Sequence, residues 1–66
     1  MNDKQSALLE SLTESIAAVS EKQALILELL SAKLELEEED RITLVNSAQQ
    51  NYKRADQLRQ SLKDLD

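Results

Sequence analysis

Glu37-Glu38-Glu39-Asp40-Arg41 decides whether this chain is one rod or two helices. Four adjacent carboxylates oppose the macrodipole at a helix C-terminus, where cations are favoured, but they suit the first turn of a following helix, with Asp40 as its N-cap. A tight turn over residues 37–41 is expected on that ground, even though the chain has no Gly to supply the usual left-handed residue past a helix end. The alternative carries the helix straight through. Val45, Ala48 and Tyr52 then return to the face of the preceding apolar stripe, and a rod of about 60 residues, roughly 90 Å at 1.5 Å per residue, needs a coiled-coil mate.

Upstream of the acids, at 100° per residue, Leu8, Leu9, Leu12, Ile16, Val19, Ile26, Leu27, Leu30 and Leu34 share one face, with polar Gln23 as the only interruption. A second apolar stripe of Ala18, Leu25, Leu29, Ala32 and Leu36, with Ala7 at its start, lies almost opposite. Glu14, Glu21, Glu28 and Glu35 separate the two along one flank at intervals of seven, and Lys22 and Lys33 lie on the other. Ser20-Glu21-Lys22-Gln23 has the form of a capping box, with Val19 before it as a staple, so a helix broken near residue 19 is the alternative form of this segment.

Downstream, Val45, Ala48, Tyr52, Ala55, Leu58, Leu62 and Leu65 step by three and four, the narrow seam of a helix laid along one neighbour. The expected architecture is an all-α antiparallel hairpin in a single domain, with helices over about 4–36 and 41–65. Its expected intramolecular seam joins Leu12, Ile16, Val19, Ile26, Leu30 and Leu34 to Val45, Ala48, Tyr52, Ala55, Leu58 and Leu62. The stripe of Ala18, Leu25, Leu29, Ala32 and Leu36 is left over as the expected partner-binding surface.

Composition supports helix and little else. Gly and Pro are absent, good helix formers dominate, and Tyr52 is the only aromatic residue. A 66-residue chain buries too little surface for robust stability by itself, and without Cys or His it has neither a disulfide nor a zinc staple, which leaves association. Residues 1–40 carry ten acidic and three basic side chains, and residues 41–66 carry three acidic and five basic ones. That asymmetry favours laying the two halves side by side.

The same inventory narrows the function classes. Catalysis needs a nucleophile, an acid–base group or a metal in a dry pocket, and no Cys or His is present, so the chain is expected to be no enzyme and to hold no cofactor or metal. Adjacent acids at a helix end point in different directions, so Glu37, Glu38, Glu39 and Asp40 read as a solvated turn before a cation clasp. The basic residues of the second half form no stripe with stacking aromatics, so no nucleic acid is expected. The polar, acidic N-terminus is no secretory signal, and no apolar run approaches the ~20 residues of a membrane span, so the expected setting is the cytoplasm and no membrane partner. Tyr52 reads as a seam residue whose hydroxyl reaches the edge.

The layout of a short acidic chain, an apolar double face over residues 25–36, a link at 37–41 and a seam from Val45 to Leu65 resembles the small cytoplasmic co-chaperones of bacterial type III secretion. The resemblance implies a helical hairpin that holds an aggregation-prone helical needle subunit together with a second, larger chaperone. From the residues themselves, the expected function is a protein-binding module, an adaptor or co-chaperone offering an apolar helical face to an amphipathic partner helix. Two alternatives stay open: a self-assembling coiled-coil homo-oligomer, and an acidic inhibitor that mimics DNA with its regularly spaced carboxylates.

Overall fold

Two long helices account for nearly all of the chain in a computed structural model that describes residues 2–65. Helix α1 spans Asp3–Lys33 and helix α2 spans Glu38–Asp64. They fold back on one another as an all-α hairpin, and the rod is not formed. Helix α1 starts at Asn2, whose side-chain oxygen accepts a hydrogen bond from the Gln5 N–H at 2.8 Å, with Asp3 in the first turn and Lys33 in the last. It runs unbroken through residue 19. Ser20, the candidate cap of a split helix, is instead buried at 4% exposure on the side facing α2.

The link lies a few residues earlier than the acids suggested. Helix α1 stops after Lys33, Leu34 turns extended (φ −86°, ψ 147°), and α2 begins with Glu37 as its N-cap. Asp40 is therefore in the first turn together with Glu38 and Glu39, and is not the cap. The macrodipole argument holds for these acids, which sit at the positive end of α2. No described residue has positive φ, so an extended connection over residues 34–37 replaces the Gly-based helix stop. Arg41 secures it, donating from Nη1 to the carbonyl of Ser31, one of the last-turn carbonyls that lack an intrahelical partner.

Small residues make up the interior. Ala17, Ala24, Ala48 and Ala55 are the buried apolar residues, joined by buried Ser20, Ser31 and Asn51, and no large side chain is fully buried among the described residues. Leu9, Thr13 and Leu27 on α1, and Leu44, Val45, Tyr52, Leu58 and Leu62 on α2, flank that row half-buried. Ala and Ser let two helix axes approach toward the short end of the usual range of roughly 8–10 Å, and close backbone contact along the helices then replaces bulky interdigitation.

The expected seam is thus corrected on α1. Leu12, Ile16, Val19, Ile26, Leu30 and Leu34 are not buried between the helices and remain 40–61% exposed. The row that meets α2 (Ala17, Ser20, Ala24, Ser31) lies about 100° further round the helix at 100° per residue. On α2 the expected residues do lie on the side facing α1: Ala48 and Ala55 buried, Val45, Tyr52, Leu58 and Leu62 partly so. The molecule is long and thin, 51 × 16 × 9 Å between Cα atoms, with a radius of gyration of 15.4 Å against about 11 Å for a compact chain of this length.

Candidate functional site: the exposed apolar faces of helix α1

Apart from Leu9 and Leu27, the large apolar residues of α1 are exposed and lie off the row that meets α2. Leu8, Leu12, Ile16, Val19, Ile26, Leu30 and Leu34 form one exposed stripe on a flank of the hairpin. The outer stripe lies about 120° round the helix from the buried row, on the other side from the first stripe: Leu25 is 52% and Leu29 59% exposed, Ala18 and Ala32 are exposed, and Leu36 in the link is half-buried. Lys22 and Lys33 divide the two stripes along the outside of α1. In the second half, Ile42 of α2 (50% exposed) and Leu65 just past its end (61%) are the exposed large apolar residues among those described.

The opposite flank carries the charge. Arg59 bridges two turns of α1, donating from Nε to the Glu14 carboxylate at 3.1 and 3.3 Å. It also donates from Nη1 and Nη2 to the two oxygens of Glu21 at 2.9 and 2.8 Å. A bidentate guanidinium–carboxylate pair is the strong form of such contacts. The bond to Arg59 holds the Glu21 carboxyl below its usual range, and the two carboxylates hold the guanidinium well above its own. Tyr52 lies on the same flank, where partial burial and then the neighbouring carboxylates of Glu28 and Glu21 raise its phenol pKa.

Two members of the regular acidic row, Glu14 and Glu21, are therefore engaged inside the hairpin. Periodicity found the row but not its function, because the partner lies 38 and 45 residues away in sequence. The same ion pairs explain why the acidic first half lies along the basic second half.

A shallow groove of about 390 Å³ opens between the first turns of α1 and the last turns of α2, lined by Ser6, Leu9, Glu10, Glu14, Arg59, Leu62, Lys63 and Leu65. It mixes charges of both signs with leucines and holds no cluster of like groups. Among the described residues no three carboxylates are gathered to hold a metal ion, and no helix is long and apolar enough to cross a membrane. No protein-family model, curated protein or solved structure matches the chain.

Proposed function

We propose that this chain is a small non-enzymatic protein-binding module of the cytoplasm, an adaptor or co-chaperone that offers the outer stripe of α1 to an amphipathic helix of another protein. The observation that carries this reading is the placement of Leu25 and Leu29, more than half exposed on a helix whose intramolecular mate is met through alanines and serines. Exposed aliphatic side chains in rows mark surfaces made for contact. The stripe has Glu28 and Glu35 along one edge and Lys22 and Lys33 along the other. The partner helix that fits it carries an apolar stripe with cations on one side and acids on the other.

Capture from the native host with the natural chain and with Leu29→Glu tests this reading. The substituted side chain stays in solvent in the hairpin, so the variant is expected to keep its helical circular dichroism and to lose the captured protein. Capture of the same protein by both forms would overturn the assignment of the outer stripe.

A further inference from the structure

We infer that two copies of this chain pair antiparallel through the flank stripe from Leu12 to Leu34, with Gln23 at the two-fold axis, to make a four-helix bundle. This names the occupant of one exposed face of α1 and rests on the reading that those faces are contact surfaces. It leaves the outer stripe of Leu25 and Leu29 free for another protein.

The stripe is self-complementary about its one polar residue. Leu12 and Leu34 lie eleven residues to either side of Gln23, Ile16 and Leu30 seven, and Val19 and the half-buried Leu27 at the stripe's inner edge four, while Ile26 falls opposite Ser20. An antiparallel copy centred on Gln23 sets Leu12 against Leu34, Ile16 against Leu30 and Val19 against Leu27, and the one amide meets its own copy. A two-fold interface demands that kind of reciprocal matching, residue i on j and j on i.

The second helix obeys the same centre. The ion pairs of Arg59 with Glu14 and Glu21, and the bond from Arg41 to the Ser31 carbonyl, set the register of the hairpin and bring Asn51 about level with Gln23 and Ala24. Asn51 is buried at 9% exposure and accepts a hydrogen bond from Arg54 at 3.3 Å. Leu44 and Leu58 lie seven residues to either side of it. One axis through the middle of the hairpin therefore pairs α1 with α1 across the apolar stripe and α2 with α2 across a polar flank, with Gln23 and Asn51 of both copies about level with it. A single polar residue in such a seam fixes register, because any slip sets Gln23 against apolar side chains.

Orientation follows from the flank. Helix geometry places Ser47, Arg54 and Ser61 of α2 on the side where α1 carries its stripe, and Glu14, Glu21, Tyr52 and Arg59 on the other. The stripe meets an apolar surface only when α1 lies on α1 of the second copy, and hairpins stacked by this flank in that way run antiparallel. The area agrees. The chain exposes 5255 Å², roughly 1,000 Å² more than a compact 7.5 kDa chain. Covering that excess on both copies makes an interface of roughly 2,000 Å² in total, enough for a stable dimer.

Sedimentation equilibrium on the natural chain, joined to thiol crosslinking, tests the pairing. The chain has no cysteine, so each introduced thiol reports alone. A dimer is expected, with Gln23→Cys coupling to its own copy. Leu12→Cys should couple several-fold more slowly to itself, its copies being about 33 Å apart across 22 residues of helix, yet quickly in a mixture with Leu34→Cys. A monomer at all micromolar concentrations, or Leu12→Cys coupling to itself as fast as Gln23→Cys does, would overturn the pairing. The two readings fail separately. A monomer that still loses its partner on Leu29→Glu overturns the pairing and leaves the outer stripe standing. A Gln23-centred dimer whose Leu29→Glu form captures the same protein as the natural chain supports the pairing and overturns the outer-stripe reading.

Discussion

Arg59 and Glu21 meet through two parallel hydrogen bonds of 2.9 and 2.8 Å, and this pair ties the last third of α2 to the middle of α1. It is the charged clasp of a hairpin whose apolar core is four alanines. Glu21 has a depressed pKa in the folded chain, so its contribution is fully present above the ordinary carboxyl range and is lost as pH falls through the folded value. Thermal melts followed by circular dichroism are expected to show a lower Tm at pH 3 than at pH 7. Glu21→Gln should lower Tm at pH 7 and shrink the difference between the two. An unchanged difference would assign the acid sensitivity to other carboxylates.

Tyr52 supplies a second readout, since it is the only aromatic side chain and its phenolate absorbance stands alone. Its phenol is raised by burial and by Glu28 and Glu21, so in alkaline titration its midpoint should lie above that of the unfolded chain. Above the ordinary phenol value of 10.0 the unfolded chain releases the proton that the folded chain retains, so the hairpin weakens as pH rises toward the folded value. Glu28→Gln should move the ultraviolet midpoint down. A midpoint that stays put would show that burial and Glu21 hold the proton without Glu28.

The small-residue interior predicts an asymmetry between adjacent positions. Ala24→Leu forces a bulky side chain between two helices in close contact and is expected to cost about 1–3 kcal/mol in urea unfolding. Leu25→Gln, one residue on and 52% exposed, should change the stability of the isolated hairpin by no more than about 0.5 kcal/mol. Equal losses at the two positions would place the interhelical row elsewhere.

Arg41 predicts the behaviour of the link. Its bond to the Ser31 carbonyl ends α1 without a glycine. Arg41→Ala should cost about 1 kcal/mol, the part-exposed setting holding it below the ~1.5–3 kcal/mol range for bonds to charged groups. Amide exchange should quicken at residues 31–38 while the middle of α1 keeps its protection. Exchange rising uniformly along α1 instead would mean that the link carries no local restraint.

The sequence by itself determined that the chain is helical, and it favoured two helices folded on each other over one continuous rod. Without Gly, Pro or more than one aromatic residue no other regular structure competes, and the acids at 37–40 mark where a new helix begins because a helix N-terminus attracts negative charge. It also placed Ala48 and Ala55 in the seam, since α2 has a single apolar row to offer. What only the tertiary structure decided is which face of α1 that row meets. Periodicity ranks faces by hydrophobicity and favours the one with Leu12, Ile16 and Leu30, yet Ala17, Ser20, Ala24 and Ser31 are chosen because small side chains admit a close backbone approach. The reach of Arg59 to Glu14 and Glu21 holds the turned helix there. The leucines and isoleucines that the local pattern assigned to the interior are thereby turned outward.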